Sequence, residues 1–341
     1  MSEIVSIITP SFNRADIVHE TAASIFSQTY PHWEWMIVDD GSTDNSWEIL
    51  QEFAKKDKRV KLLRRTREPK GACTCRNIAV EHSTGKYLIF LDTDDILASF
   101  CLEQRVQAMK QEPSCDFIIF PMLLFKNKPE DLKLLWNIDK DEDDLNRILK
   151  GDPICQGTGT LWKKTSFQQV GMWKEELKLW QDIELHIRSI LWPLKYTKRM
   201  DLRPDVFLRI SDVSLSRTGY SSLPKLRSRK TVFKYSCDKI IERGFLSKYK
   251  EGLRVMGFDL INSAISSRYF NESEEMIQYC ASKNIFSKKE LTQLKRFQLL
   301  FRIRLYKIPS LFRVLREKHY QLLPSFEVSV NKIKWENPIE F

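Results

Sequence analysis

Residues 4–50 read IVSIITPSFNRADIVHETAASIFSQTYPHWEWMIVDDGSTDNSWEIL, and this stretch decides the fold. Two short apolar runs, at residues 4–9 and 33–38, are rich in Ile, Val and aromatic residues and predict β-strands. Each is followed by a segment with apolar residues at helical spacing, at 16–27 and at 45–55. This alternation predicts repeated βα units around a parallel sheet.

The same pattern continues over the next 70 residues or so. Apolar runs predict strands at 60–64, 87–91 and 117–120, and helical spacing predicts helices at 72–81 and 99–110. The strands are almost uninterrupted in hydrophobicity, as expected when helices cover both faces of a sheet. The predicted fold class is therefore α/β, with an open and mostly parallel sheet flanked by helices.

Length and composition are those of an ordinary soluble globular protein. The 341 residues are 42% hydrophobic and 29% charged, and this length predicts about two domains. The sequence contains no run of about 18 uncharged apolar residues, so it predicts no membrane-spanning helix. The N-terminus lacks the layout of a secretion signal. Seven cysteines without a C-x-x-C pair predict reduced thiols rather than disulfides or a zinc site. We therefore expect a cytoplasmic protein.

Positive charge is concentrated in the last third of the chain. Residues 1–224 hold 31 Lys and Arg against 33 Asp and Glu, whereas residues 225–341 hold 24 against 12. This asymmetry favours contact of the C-terminal part with an acidic partner such as a membrane surface, a nucleic acid or an anionic polymer.

Polar clusters follow three of the predicted strands: TPSFNR at 9–14, DDGSTD at 39–44 and DTDD at 92–95. Ligands of open α/β sheets bind beyond the carboxyl ends of the strands, where these clusters lie. Their carboxylates would repel one another unless some cap helices and others bind a cation or hydrogen-bond a ligand. The carboxyl edge of the sheet is therefore the predicted functional site.

Asp92 and Asp94 are candidate ligands of a divalent cation. Two residues apart on an extended chain, they project from the same side, and Mg²⁺ and Mn²⁺ prefer carboxylate oxygens completed by phosphate and water. Asp95 either caps the next helix or approaches the ion. All three also fit turn and helix-cap roles. Arg76 fits either the neutralisation of a diphosphate or an ion pair at the surface.

The order and spacing of these clusters resembles family 2 glycosyltransferases of the GT-A fold. The resemblance is carried by residues 4–50 and by GACTCRNIAVEHSTGKYLIFLDTDD at 71–95. It implies inverting transfer of a hexosyl or N-acetylhexosaminyl group from a nucleotide-sugar, with UDP the commonest nucleotide, to an acceptor hydroxyl. It also implies a divalent cation, Mn²⁺ or Mg²⁺, and a role in making a cell-surface polysaccharide or glycan.

The resemblance further implies which residues bind the donor. Those expected at the metal are Asp92, Asp94 and Asp95. Those expected at the nucleotide-sugar are Thr9, Pro10, Asn13, Asp39, Asp40, Arg76, Asp92 and Thr93.

A second acidic motif, LWQDIELHIR at 179–188, matches the segment that supplies the catalytic base in this family. Asp182 is the expected base, although it also fits a helix-cap role, and Gln181 stands where Glu is usual. The resemblance places Thr158, Trp162, Trp180 and Gln181 on the acceptor side. The Gln-x-x-Arg-Trp signature of processive members is absent, which favours addition of one sugar at a time.

The chemistry of sugar transfer needs these residue types independently of kinship. Displacement at the anomeric carbon requires a base that takes the acceptor proton, a role that suits Asp182. On the opposite face, the departing diphosphate needs positive charge, from a cation at Asp94 and from Arg76. Because the two groups act from opposite faces, the configuration inverts.

The predicted domains are a catalytic domain at 1–222 and a basic helical region at 223–341. Within the first, residues 1–125 form the nucleotide-sugar half and residues 126–222 the acceptor half. In the second, an apolar stripe flanked by Lys and Arg predicts two helices broken at Pro309. The stripe either packs on the catalytic domain or holds the protein against anionic lipid. Its members are Leu294, Phe297, Phe301, Leu305, Ile308, Phe312 and Leu315.

The expected partners are a UDP-sugar donor, a glycan or lipid-linked acceptor and an anionic membrane surface, with no nucleic acid. The expected location is the cytoplasm, with a peripheral position on the inner face of the membrane. The alternative function is a non-catalytic membrane- or nucleic-acid-binding protein that uses the basic C-terminal third. The sequence contains neither G-x-G-x-x-G nor a P-loop, which disfavours dinucleotide and P-loop binding.

Overall fold

The computed structural model describes residues 3–210, 219–322 and 333–336. The strands are β1 (Val5–Ser11), β2 (Trp33–Asp39), β3 (Val60–Arg64), β4 (Tyr87–Phe90), β5 (Ile96–Leu97), β6 (Phe117–Ile119), β7 (Met122–Phe125), β8 (Leu134–Leu135), β9 (Thr160–Lys163), β10 (Tyr196–Lys198) and β11 (Val206–Arg209). The helices are α1 (Val18–Phe26), α2 (Ser46–Lys56), α3 (Ala72–His82), α4 (Cys101–Gln111), α5 (Asp144–Leu149), α6 (Lys164–Gln169), α7 (Gln181–Leu191), α8 (Leu223–Glu242), α9 (Leu246–Ser266), α10 (Phe270–Ser282), α11 (Lys288–Arg302) and α12 (Pro309–Leu322).

The main sheet has the strand order β10-β6-β9-β4-β1-β2-β3 in the described parts of the chain. The neighbouring pairs are parallel, except that β9 runs antiparallel to β4 and β6. Helix α3 packs on β1 and β2, and the central strands are buried along their length. The prediction of a mostly parallel α/β sheet flanked by helices is confirmed.

The predicted elements of the first 125 residues are present with small shifts at their ends. The helix expected at 16–27 begins at Val18, and the strand expected at 33–38 extends to Asp39. Asp44, expected to cap α2, accepts a hydrogen bond from the Ser46 N–H at 3.0 Å. The hydrophobic periodicity therefore located the elements, while the turns fixed their ends.

A smaller sheet has the order β5-β11-β7-β8. Strand β11 pairs with β7 in parallel and with β5 antiparallel, so Arg209 at its end lies opposite Phe125. Because β5 directly follows residues 92–95, this pairing brings Arg209 to the aspartates at the end of β4. The small sheet thus contributes a basic residue to the carboxyl edge of the main sheet.

The C-terminal region is helical, as expected, and α8 begins at Leu223. The proposed boundary between residues 222 and 223 remains a prediction. Helix α9 packs against both α8 and α5. The close approach of α9 to α5 depends on Gly252, where an added Cβ would lie 2.7 Å from the Leu149 Cβ. No helix in the described residues is both long enough and apolar enough to cross a bilayer.

The apolar stripe predicted in this region is largely an internal contact. Leu294 and Phe297 are buried, and the Phe297 ring stacks on His319 of α12 with centroids 3.8 Å apart. The chain break was predicted at Pro309, but it lies in the preceding residues 303–308, and Pro309 is the first residue of α12. Proline fits there because a first-turn N–H has no helical acceptor to lose.

The buried His319 predicts a loss of stability in acid. Burial lowers its pKa to about 4. Below about pH 6.5 the His319 side chain takes up a proton in the unfolded chain, whereas in the folded protein it stays neutral until the pH approaches 4. The free energy of unfolding therefore decreases as the pH falls from about 6.5 towards 4. Urea unfolding of wild type and His319→Phe at several pH values should show the variant losing less stability, by up to about 1.4 kcal/mol per pH unit.

His19→Gln, at an exposed position, is the control for this experiment. Equal pH slopes for the wild type and His319→Phe would show that His319 is not held in its neutral form.

Candidate functional site

The loops after β1 and β2 are fastened to each other. Asn13 has a positive φ of 52°, and its Oδ1 accepts a hydrogen bond from the Thr43 N–H at 2.8 Å. The Asp39 carboxylate accepts from the N–H groups of Gly41 and Ser42, both at 3.0 Å. These contacts fix the backbone of both loops, so Asp39 shapes the loop with its own carboxylate.

Two more of the residues predicted to bind the nucleotide-sugar make contacts within the protein. The Thr9 side chain is fully buried, and its Oγ1 accepts a hydrogen bond from Trp35 Nε1 at 2.9 Å. The Asp40 carboxylate is paired with Arg65 Nε at 2.6 Å. The Thr9 side chain therefore belongs to the core, and the expectation that Thr9 lies at the nucleotide-sugar stays a prediction. Pro10, the next residue, is partly exposed.

Arg76 connects the end of β4 to the start of α7. Its Nη2 lies 2.6 Å from Asp92 Oδ1, and its Nη1 donates to Gln181 Oε1 at 3.3 Å. The guanidinium also lies over the Trp173 ring, 5.0 Å from the centroid. Its buried Nε has no hydrogen-bond partner in the described residues. Arg76 is thus an ion-paired residue of the site and not a surface residue.

Residues 92–95 form a turn rather than the extended segment expected. The Asp95 N–H donates to the Asp92 carbonyl at 3.2 Å, and Thr93 is buried between the aspartates. The Asp95 carboxylate accepts hydrogen bonds from the Arg209 N–H at 3.0 Å and from the Thr158 hydroxyl at 3.4 Å. Asp95 therefore has hydrogen-bond partners that hold this turn, and its expected place at the metal stays a prediction.

Asp94 differs from its neighbours because no other residue in the described chain donates a hydrogen bond to its carboxylate. Burial, followed by the charge of Asp92, raises the pKa of Asp94, while Arg14 and Arg209 oppose this shift. Burial also raises the pKa of Asp95 well above its usual value. Carboxylates with raised pKa values this close together favour a nearby positive charge.

The carboxylates at the end of β4 can hold a hard cation only if the substrate supplies further ligands. In the described residues, no three His, Cys, Asp or Glu side chains converge to hold an ion. Asp94 has a free carboxylate, and the Asp92 side chain is 42% exposed with only one oxygen paired to Arg76. One or two carboxylates completed by phosphate oxygens and water is the usual Mg²⁺ arrangement. Asp94, with Asp92 beside it, therefore fits the expected cation.

Asp182 lies in the first turn of α7, and its Oδ1 accepts a hydrogen bond from the Gly157 N–H at 2.8 Å. An added Cβ on Gly157 would lie 3.1 Å from this oxygen, so glycine allows the close approach. Burial raises the pKa of Asp182, while the positive charge of Arg76 lowers it. The carboxylate is thus a stronger base than an exposed aspartate, and the neighbouring guanidinium opposes the effect of burial.

The loop that carries Gly157 is held by a buried ion pair. Arg105 and Asp205 are both fully buried, with Arg105 Nη2 2.7 Å from Asp205 Oδ1. Arg105 Nη1 donates to the carbonyls of Thr158 and Thr160 at 2.8 and 3.2 Å. This pair fixes the backbone that presents the Gly157 N–H to Asp182.

The helical C-terminal region supports the segment before Asp182. Trp180 adopts a left-handed conformation, with φ 62° and ψ 32°, which a non-glycine residue rarely does. The Arg229 guanidinium of α8 lies 5.5 Å from the Trp180 ring centroid, and the Lys178 N–H donates to Ser228 Oγ at 2.8 Å. Helix α8 therefore holds the backbone that positions Gln181 and Asp182.

Two of the predicted acceptor-side residues lie inside the protein. Trp162 is fully buried, stacks on Phe117 with centroids 4.1 Å apart and donates to Thr160 Oγ1. This corrects its placement at an acceptor pocket, because no surface of the ring is available. Thr158 is also buried and contacts Asp95. Of the others, Trp180 is nearly buried and Gln181 is partly exposed beside Arg76.

Neighbours of Asp182 on α7 have structural partners. Glu184 pairs with Arg188 at 2.7 Å. His186 is buried with its Nε2 3.1 Å from Cys155 Sγ, and burial lowers its pKa to about 4. His186 is thus a neutral packing residue, as expected.

Sequence reasoning missed Arg65, Arg209, Gly157 and Arg229. Each acts through a partner far along the chain, such as Arg209 with Asp95, 114 residues away. Their neighbourhoods in the sequence contain no motif, so periodicity and spacing carry no signal for them. Gly157 precedes Thr158, which the resemblance had placed on the acceptor side, but nothing in the sequence indicated its contact with Asp182.

The chain is similar to known glycosyltransferases. Residues 6–171 match the family model described as "Glycosyl transferase family 2". The putative teichuronic acid biosynthesis glycosyltransferase TuaG of Bacillus subtilis is 43% identical over 114 residues, 33% of this chain and 44% of the relative. The UDP-Glc:alpha-D-GlcNAc-diphosphoundecaprenol beta-1,3-glucosyltransferase WfgD of Escherichia coli is 40% identical over 107 residues, 31% of this chain and 41% of the relative.

A solved structure shares the architecture over almost the whole chain. S. aureus TarS 1–349, crystallised in complex with UDP-GlcNAc, superposes with a TM-score of 0.66 at 16% identity. The match covers 94% of this chain and 92% of that one, and it shows a common fold. By contrast, this chain spans less than half the length of the two curated relatives named above.

The buried pair beneath the Gly157 loop gives a stability prediction. Asp205→Asn leaves the buried Arg105 without a counter-charge and should lower the free energy of unfolding by about 3–5 kcal/mol. The control is Asp201→Asn, which removes an exposed ion pair to Arg199 and should cost less than about 1 kcal/mol. Urea unfolding measures both. Equal, small losses would show that the Arg105 charge is not dependent on Asp205.

Proposed function

We propose, from the premise that residues 6–171 belong to glycosyl transferase family 2, that this protein transfers one sugar at a time from a nucleotide-sugar to an acceptor hydroxyl with inversion. The observation that carries the proposal is the arrangement around Arg76. One guanidinium joins Asp92, at the end of the strand that precedes the aspartate turn, to Gln181, the residue before Asp182. A charge suited to a diphosphate therefore lies beside a carboxylate suited to accept a proton.

The proposed donor is a UDP-sugar that carries a hexosyl or N-acetylhexosaminyl group. The loops at 9–14 and 39–44 would hold the nucleoside, with Pro10, Asn13 and Asp40 nearest to it. TarS was crystallised with UDP-GlcNAc, which supports the choice of uridine. Arg76 would lie against the diphosphate, where its buried and unpaired Nε offers a further donor to a ligand oxygen.

A divalent cation, Mn²⁺ or Mg²⁺, would be held by Asp94 with Asp92 beside it and would neutralise the charge that develops on the departing diphosphate. Asp95 is left out of the proposed site because both of its carboxylate oxygens already accept hydrogen bonds, from Arg209 and Thr158. The two remaining carboxylates supply hard oxygen ligands and leave the other coordination positions to phosphate and water.

Asp182 is the proposed catalytic base. Its carboxylate would take the proton of the acceptor hydroxyl as the oxygen attacks the anomeric carbon. The Gly157 N–H fixes one carboxylate oxygen by its hydrogen bond and leaves the other for the acceptor. Because the base and the diphosphate act on opposite faces of the sugar, a single displacement inverts the configuration.

The proposed acceptor is a growing glycan carried on a lipid, in the synthesis of a cell-surface polysaccharide. WfgD is named for a diphosphoundecaprenol acceptor and TuaG for teichuronic acid synthesis, and both names support this class. The proposed place of work is the cytoplasmic face of the inner membrane, to which the protein binds peripherally.

Two carboxylate variants test the assignment of roles. Asp182→Asn should lower kcat by about 10²–10⁴-fold because no base remains, with the donor Kd unchanged. Asp94→Ala should weaken Mn²⁺-dependent UDP binding by about tenfold or more. Calorimetry with UDP and transfer assays with a panel of nucleotide-sugars measure these effects, with Asp201→Asn as an exposed control. Full transfer by Asp182→Asn would contradict the assignment of the base.

The contact between α8 and the segment before Asp182 gives a second prediction. Ser228→Ala removes the acceptor of the Lys178 N–H and should lower kcat by about tenfold through misplacement of Asp182, with the donor KM unchanged. Ser236→Ala is the matched control, because this buried serine of α8 bonds only to the Val232 carbonyl of its own helix. Equal kinetics of the two variants would show that α8 does not position the base.

A further inference from the structure

The outer face of α11 and the turn after it combine exposed aliphatic residues with positive charge. Opposite the face that packs on His319, Leu299 and Ile303 are 54% and 57% exposed, and Ile308 in the following turn is 51% exposed. Leu299 and Ile303 are four residues apart and share one side of the helix. We call this set, with the exposed Lys295, Arg296 and Lys307, the basic apolar patch.

This part of the chain is rich in basic residues and poor in acidic ones. Residues 295–318 contain eight Lys and Arg against one Glu. In α8, by contrast, Lys230 is paired with both Glu272 and Glu275. Within the residues that the structure describes, Lys295, Arg296 and Lys307 make no ion pair. The fold thus neutralises the bases of α8 and leaves those of the patch available.

Packing requires neither the exposed aliphatic side chains nor the unpaired bases. The α11–α12 contact is made by the other face, through Leu294, Phe297 and His319. The Asn262 side chain on α9 contacts His319 Nε2 at 2.9 Å and fixes α12 to the rest of the molecule. The helices that carry the patch are therefore held in place by other residues, and packing does not explain the exposed aliphatic and basic side chains of the patch.

We propose that the basic apolar patch binds the surface of an anionic phospholipid bilayer. Leu299, Ile303 and Ile308 would enter the boundary between headgroups and acyl chains, while Lys295, Arg296 and Lys307 would pair with lipid phosphates. This inference deepens the proposal of a lipid-linked acceptor and rests on it for its biological purpose, although the binding itself depends only on the patch.

The combination of positive charge and exposed aliphatic side chains in the basic apolar patch favours a membrane over other binding partners. A second copy of the chain would bring two strongly positive surfaces together, and the repulsion would oppose association. A nucleic acid or another anionic polymer would satisfy the bases but would leave three large aliphatic side chains in water. An anionic bilayer satisfies both groups, since headgroup phosphates and acyl chains lie within one side-chain length of each other.

Vesicle binding of the full chain tests the proposal. Co-sedimentation with phosphatidylglycerol vesicles should be strong at low salt, should weaken as salt rises, and should be absent with phosphatidylcholine. Lys295→Glu/Arg296→Glu/Lys307→Glu should lose at least about tenfold in affinity. The matched control, Lys55→Glu/Lys56→Glu/Lys58→Glu, changes the same number of exposed charges near the end of α2 and should bind as the wild type does.

A second variant separates a membrane from a soluble polyanion. Leu299→Ser/Ile303→Ser/Ile308→Ser keeps all the charges, so it should lose vesicle binding yet retain any binding to heparin or RNA. Undiminished vesicle binding of this variant, or equal losses in the two charge variants, would overturn the proposal. Thermal melts check that each variant is folded.

The measurements distinguish failure of the membrane-binding proposal from failure of the proposed function. UDP-sugar hydrolysis in solution and Mn²⁺-dependent UDP binding depend on the aspartate turn and should be unchanged in both patch variants. Loss of vesicle binding with these intact supports the patch. Vesicle binding by a protein inactive with every donor would reject the proposed function and keep the patch.

Discussion

The ion pair between Arg76 and Asp92 is the contact on which the rest of the site depends. Several carboxylates lie near the carboxyl ends of β1, β2 and β4, and they could not share this edge without nearby positive charge. Arg76 supplies it from α3 and Arg65 from the residue after β3, and the charge of Arg209 on β11 opposes the rise in the pKa of Asp94. Because Arg76 also reaches Gln181, the same guanidinium couples the donor half of the site to the helix that carries Asp182.

The neutral side chain at 181 follows from this constraint. A carboxylate there would compete with Asp92 for Arg76 and would raise the pKa of the adjacent Asp182. With glutamine, the guanidinium donates a hydrogen bond to a neutral oxygen, so Asp92 is its ion-pair partner and its charge remains available to the proposed diphosphate. The helical region completes the support through Ser228 and Arg229, so the C-terminal third contributes to the geometry of the site as well as to the proposed binding of a membrane.

Much of the fold could be predicted from the sequence, because strands and helices follow local hydrophobic periodicity and the sheet order follows from βα alternation. The match of residues 6–171 to the family model was also anticipated by the resemblance, and the candidate site was found because the polar clusters lie next to strand ends. The burial of Trp162, the hydrogen bonds of Asp95 and the turn at 92–95 could not be predicted. Each depends on β9 folding back beside β4 or on β11 folding back beside β5, and antiparallel pairing between distant segments has no local signature. The packing of the apolar stripe could not be predicted either, because helical periodicity identifies an apolar helix face but not the element that packs on it.

The most direct test of the account is a crystal structure of the protein with UDP and Mn²⁺. The account predicts manganese density in contact with the Asp94 carboxylate and the diphosphate, Arg76 within hydrogen-bond distance of a phosphate oxygen, and Asp95 still bonded to Arg209. A diphosphate bound elsewhere, with the Asp94 carboxylate turned towards the protein and no ion beside it, would contradict the central claim.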